Sequence, residues 1–167
     1  AVSPLQGLLT GRWSNLVPSF LQTATLATVR TFGSVPWLLP SGSVFGHDRI
    51  WVTSGGRNYT SAGIGDLLRS AGSAGSASMW EQSRAFAGTA LAPNVTTLCL
   101  HGRGVDTLAS LHWDSTPPRG DPNRVTVSPG DGTVLSASLN VCSGWAAEQA
   151  APVRTVSYEN LTHTDIL

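Results

Sequence analysis

Apolar and polar positions change rhythm along this chain, and the change falls near Pro93. Before it, residues 1 to 33 group their apolar positions as short helices do, with Gly11 and Pro18 as interruptions. "SVPWLLPSGS" (34–43) reads as a Pro/Gly/Ser-rich turn region carrying Trp37. "RIWVTS" (49–54) alternates and stops at Gly55-Gly56, which predicts a short strand. "TSAGIGDLLRSAG" (60–72) offers Thr60 or Ser61 as N-cap of a helix that stops at Gly72. "GSAGSAS" (72–78) reads as a low-complexity loop and "MWEQSRAFAGTAL" (79–91) as a helix.

After Pro93 strand signals dominate. "NVTTLCLHG" (94–102) is a compact β-branched and Leu run ending in glycine, the pattern of a central strand. "ASLHWDS" (109–115) and "NRVTVSP" (123–129) flank "TPPRGDP", whose Pro and Gly residues suit a hairpin loop. "TVLSASLNVCSGWAAEQA" (133–150) predicts a helix, "PVRTVSYEN" (152–160) a strand, and a turn then carries His163. Strand, hairpin, helix, strand is an α/β order, with functional residues expected on loops past the strand ends. Residues 1–92 lack that alternation and read as a lid or cap. Residues 93–167 read as the core.

Composition narrows the class. A hydrophobic content of 41% against 12% charged residues describes a packed chain of 167 residues, not a disordered one. The net charge is zero, so the chain lacks the basic footprint of a nucleic-acid binder. All ten basic residues are arginine. The best apolar stretch, "LVPSFLQTATLATVRTF" (16–32), is broken by Pro18 and Gln22 and is too polar for a membrane-spanning helix. The start at Ala1, without Met or signal peptide, is expected of a processed product or a fragment. Sequons at Asn58, Asn94 and Asn160, a pair of cysteines and six Trp lean toward a lumenal or extracellular setting. In that setting Cys99 and Cys142 would pair; two buried thiols are the other reading.

Two side chains with catalytic chemistry lie on the expected loops, Asp131 between Gly130 and Gly132, and His163. A serine hydrolase needs a carboxylate to hold the imidazole in one tautomer, and the imidazole to take the serine proton. In α/β-hydrolases the chain order is nucleophile, acid, base, and Asp131 before His163 fits the last two. The flanking glycines would let the loop turn sharply enough to aim the carboxylate. A Gly-Asp-Gly triplet also serves as a plain turn.

The nucleophile is the gap. No G-x-S-x-G occurs, and the nearest match, Ala71-Gly72-Ser73-Ala74-Gly75, follows a helix-like stretch where an elbow must follow a buried strand. Ser73 therefore reads as a loop residue. No HGGG-type stretch offers an oxyanion hole. His47-Asp48 and His101 lack metal-site spacing, and "HGRGV" (101–105) has too few glycines and no lysine for a phosphate loop. No cofactor or metal is expected.

Five stretches together resemble the lecithin:cholesterol acyltransferase-like family, which includes lysosomal phospholipase A2. "PWLLPS" (36–41) and "VFGHDRIWVTSGGRNYT" (44–60) are similar to its "WLLP" and "NYT" region. "VTTLCLHGRGV" (95–105) resembles its "CLYGTGV", "SPGDGTVLSASLNVC" (128–142) its "GDGDGTV…C", and "NLTHTDIL" (160–167) its "EHIEML". The co-linear match covers most of residues 35 to 167. The resemblance implies Asp131 as triad acid, His163 as triad base, and a Cys99–Cys142 disulfide bracing the hairpin to the following helix. It implies a cap contribution from residues 1–92, where Trp37 and Trp51 would face acyl chains or pack the core. The chain departs from the family at Ser128-Pro129, at "GRGVDTL", and in lacking the family's serine motif, expected upstream of Ala1.

The expectation is then the C-terminal half of an α/β-hydrolase that passes an acyl group from a glycerophospholipid to a sterol, another lipid alcohol or water. Implied partners are phospholipid and lipid-acceptor substrates, a membrane or lipoprotein surface, and the N-terminal half of the same enzyme. The implied setting is secreted, lysosomal or ER-lumenal. The competing expectation is a non-catalytic lipid-binding or interaction glycoprotein on the same fold. A third reading makes Ser73 the nucleophile of a minimal esterase.

Overall fold

The structure, a computed structural model, describes residues 2–10, 22–86 and 91–166. Gly11 and Pro18, the expected interruptions, lie outside the described residues. The chain forms two compact units, Ala1–Gly88 with Ala109–Thr126, and Thr89–Leu108 with Val127–Leu167.

The first unit is helical with a small sheet. α1 (Val2–Thr10) and α2 (Gln22–Val29) precede two one-turn helices, α3 (Ser34–Trp37) and α4 (Gly42–Phe45). β1 (Val52–Ser54) and β2 (Arg57–Tyr59) pair antiparallel, with Val52 opposite Tyr59, across a turn through Gly55 and Gly56. β1 also pairs parallel with β4 (Val105–Trp113), setting Val52 opposite Leu111 and Ser54 opposite Trp113. With β5 (Arg124–Gly130) the sheet order is β2-β1-β4-β5. Strands β4 and β5 run through both units, so the hairpin they form belongs to one at its tip and to the other at its base.

After a 3₁₀ turn at Ser61–Gly63, the chain forms α5 (Ile64–Ser70) and α6 (Ala74–Ser83). Ile64, Leu67 and Leu68 of α5, and Ala77 and Trp80 of α6, are buried, as are Trp51, Tyr59, Leu111 and Trp113 of the sheet. Each large apolar side chain so buried contributes about 1.5–3 kcal/mol relative to exposure. Arg30 clasps the helices: its guanidinium donates to the carbonyls of Leu8 (3.0 Å) and Ala71 (3.1 Å), and its own carbonyl accepts from Ser76 Oγ. Burial lowers its pKa, and the groups that accept from it are neutral carbonyl oxygens. The low-complexity loop expected at 72–78 is instead largely helix, since α6 starts at Ala74 and runs to Ser83. Ala and Ser tolerate helix, and the burial of Ala77 and Trp80 selects it here.

The second unit holds β3 (Thr97–Arg103) and β6 (Val153–Glu159), paired parallel over seven positions from Thr97↔Val153 to Arg103↔Glu159. Among the described residues β3 has a strand neighbour on one side only, so it is not the central strand its sequence suggested. Leu98 and Leu100 are 60% and 49% exposed on it. The helix expected over 133–150 is broken into α7 (Ser136–Leu139), α8 (Val141–Gly144) and a 3₁₀ turn at Trp145–Ala147. Ser, Asn and Gly are weak helix formers and compete for the backbone: the Asn140 side chain donates to the Ser136 carbonyl at the break. Cys142 of α8 is bonded to Cys99 of β3, so the disulfide ties a strand, not the hairpin, to the helical segment.

The two cysteines are 43 residues apart. Loop-closure entropy for such a ring is about 4 kcal/mol. Replacing both with Ser is expected to lower unfolding free energy by up to that amount, read as a fall in the urea midpoint.

Candidate active site

Asp131 follows directly on β5, and His163 sits in the turn after β6. The backbone around them is drawn together at two points. Val105, at the start of β4, bridges to Asp131, and Asn160 N–H donates to the Arg103 carbonyl at 2.7 Å. Gly102 permits the second approach, because a Cβ at that position would collide with the Leu161 carbonyl. Positions 102 and 161 are thus backbone against backbone, and the turn carrying His163 closes over the end of β3.

The two expected catalytic side chains meet. His163 Nδ1 lies 2.8 Å from Asp131 Oδ2, and His163 N–H donates to the Asp131 carbonyl at 2.9 Å. The carboxylate is 2% exposed, while the imidazole side chain is half exposed. Its other oxygen, Oδ1, accepts from the N–H groups of Thr133 (3.0 Å) and Val134 (2.7 Å). Burial alone would push the Asp131 carboxyl up. The bonds from Val134 N–H, His163 and Thr133 N–H outweigh it and hold the group below the usual carboxylate range.

An ionised carboxylate only accepts, so the proton in this pair belongs on His163 Nδ1. That assignment leaves the Nε2 lone pair of the neutral ring on the half-exposed side chain, available to take a proton. The turn around His163 has a second clamp. The Asp165 carboxylate accepts from Thr162 Oγ1 and Thr162 N–H, bonds that lower its pKa. This Thr-x-x-Asp spacing is visible in the sequence as a turn signature.

Ser73 is placed differently. Its Oγ is buried and donates to Ser76 Oγ at 2.9 Å, and the residue stands at the N-cap position of α6, after a helix rather than a strand. A nucleophile must present its oxygen to substrate, and this one is spent inside the first unit. His101 is buried in β3, with Nδ1 3.1 Å from the Gly102 carbonyl. Trp51 is fully buried, its ring edge-to-face with Phe45 at 4.9 Å and stacked by Arg49, so it packs core; Trp37 is 51% exposed. Asn58, Asn94 and Asn160 are all exposed, and the last two adopt the left-handed backbone that asparagine tolerates.

No family model matches the chain. Among curated proteins, it is 29% identical over 132 residues to phosphatidylcholine-sterol acyltransferase of Eliomys quercinus, covering 79% of the chain and 44% of that relative. It is 28% identical to the Homo sapiens protein of the same name, across 30% of its length. It is 29% identical over 138 residues to lysosomal phospholipase A and acyltransferase of Mus musculus, covering 83% of the chain and 33% of that protein. The chain thus resembles the lecithin:cholesterol acyltransferase-like family, as its motifs indicated. It spans less than half the length of the curated relatives it matches.

The Asp131 carboxyl titrates lower folded than unfolded, so its ionisation stabilises the fold above the unfolded value of about 3.9. That contribution fades as pH falls through the lower folded value. Asp131→Asn cannot ionise. Its stability deficit against wild type is therefore expected to be full at pH 7 and to shrink below about pH 4, as read by urea unfolding at both pH values.

Proposed function

We propose that this chain carries the acid and the base of a Ser-Asp-His triad in a lipid acyltransferase or phospholipase with an α/β-hydrolase fold. The observation that carries the reading is the buried Asp131 carboxylate bonded to Nδ1 of a half-exposed His163. The likeness to phosphatidylcholine-sterol acyltransferases and to lysosomal phospholipase A and acyltransferase supports a phospholipid as acyl donor. The exposed Leu98 and Leu100 support it too, since parallel strands are normally covered on both faces by further elements of such a fold. In this reading residues 93–167 carry the catalytic core, and residues 1–92 contribute to a cap over the lipid site.

The nucleophilic serine is contributed from outside these 167 residues. Its oxygen attacks the ester carbonyl carbon while His163 Nε2 takes its proton. The ester C–O bond breaks, and the lysolipid oxygen leaves with that proton from Nε2. An acceptor hydroxyl, from a sterol, another lipid alcohol or water, then gives its proton to Nε2 and attacks the acyl carbon; the acyl–serine C–O bond breaks, and the serine oxygen takes that proton back from Nε2. Asp131 fixes the tautomer and stabilises the imidazolium in both halves. A lipid enzyme of this type works at a membrane or lipoprotein surface in a secreted, lysosomal or ER-lumenal setting. The cystine and the exposed sequons at Asn58, Asn94 and Asn160 support that setting and glycosylation there.

The test is acyl release from phosphatidylcholine by the full-length gene product, with and without sterol. His163→Ala is expected to abolish both release and transfer. Asp131→Asn is expected to lower kcat by on the order of 10⁴ with intact lipid binding, the effect of a wrong tautomer. Undiminished turnover by His163→Ala would sink the reading.

A further inference from the structure

We infer that Thr107 is a positioning residue for the Asp131–His163 pair, acting through the peptide group that joins Asp131 to Gly132. This rests on the reading of that pair as catalytic acid and base.

Thr107 lies in β4 and is fully buried. Its hydroxyl is committed in both directions. It accepts from Gly132 N–H at 2.8 Å and donates to the Val105 carbonyl at 3.0 Å. The Gly132 N–H and the Asp131 C=O belong to one planar peptide unit. The other end of that unit is the carbonyl that accepts from His163 N–H at 2.9 Å. A single directional chain results: His163 N–H to the Asp131 carbonyl, Gly132 N–H to Thr107 Oγ1, and Thr107 O–H to the Val105 carbonyl. Each bond polarises the next in the same sense, which strengthens the series. Because the peptide is rigid, fixing its N–H end on Thr107 fixes the carbonyl end under His163. The same plane sets where the Asp131 side chain leaves the backbone.

The local packing leaves room for this arrangement and for little else. A Cβ at Gly130 would collide with Thr107 Oγ1 and with the Val134 carbonyl, so the loop is pressed onto the hydroxyl. Gly132 takes a φ of +87°, the left-handed conformation that turns its N–H toward β4. Valine at 107 would keep the shape and leave Gly132 N–H and the Val105 carbonyl buried without their partner. The loop would relieve that by rotating the 131–132 peptide, and the imidazole would follow it.

Full-length enzyme carrying Thr107→Val or Thr107→Ser gives the test, by phosphatidylcholine acyl release and by NMR of the His163 Nδ1–H resonance in histidine-labelled protein. Thr107→Val is expected to lower kcat on the order of tenfold or more with KM within about twofold, since small misplacements of a catalytic group cost rate rather than binding. The Nδ1–H resonance should move or exchange-broaden in the same variant. Thr107→Ser, which keeps the hydroxyl, should restore both. If Thr107→Val does not fold, Thr107→Ala is compared with Thr107→Ser by the same two readouts. The inference is overturned if the hydroxyl-free variant keeps kcat within twofold and an unchanged resonance, or if Thr107→Ser is as impaired as it is. A His163→Ala control with wild-type turnover would instead remove the catalytic reading, and the NMR comparison alone would then decide whether Thr107 positions the ring.

Discussion

Asp131 grips His163 with two different parts of itself. Its carboxylate holds the imidazole, and its backbone carbonyl holds the amide of the same residue. Either bond alone would leave the ring a rotation free. Together they fix both the ring and the chain from which it hangs. Much of the local backbone follows from this demand. The loop must leave β5 and immediately double back so that Val134 and Thr133 can present their N–H groups to Oδ1. β6 must end close enough to β3 for the turn at 160–165 to fold over it, which Gly102 allows.

A carboxylate with 2% exposure is costly to desolvate, and the second unit meets that cost with donors. Two backbone amides and one imidazole are directed at Asp131, with its own N–H returned to the Val134 carbonyl. The arrangement is a charge held by oriented dipoles rather than by an arginine. Such dipoles are already aimed at the negative charge, so holding it requires no reorganisation of the loop. Arg30 in the first unit is the mirror case, a cation held by carbonyl oxygens.

Strand runs were legible as β-branched and Leu-rich stretches that begin just after a proline, Pro93 before 94–102 and Pro152 at the head of 152–160. The hairpin was legible from its Pro/Gly loop, and the two catalytic candidates from their place on loops. Residues 133–150 were misread as one helix, because apolar spacing counted for more than the weak helix formers at Ser136, Ser138, Asn140 and Gly144. Residues 72–78 were misread as loop because Ala, Ser and Gly say little about burial, and only the packing of Ala77 and Trp80 makes a helix there. Thr107 left no signal at all. A threonine in an alternating strand looks like an ordinary β former, and its value depends on a glycine amide 25 residues away.

The hairpin of β4 and β5 has a consequence for how this chain can be divided. Its tip, Ala109–Thr126, supplies β1 with the neighbour at Leu111–Trp113, while its base carries Thr107 and leads into Asp131. The disulfide encloses the whole excursion, from Cys99 through both strands to Cys142. No single cut separates the two units, because the chain passes out of one, through the other and back. Any exchange of one unit for another would therefore have to carry the excursion as well, as an insertion between fixed ends rather than as a terminal module.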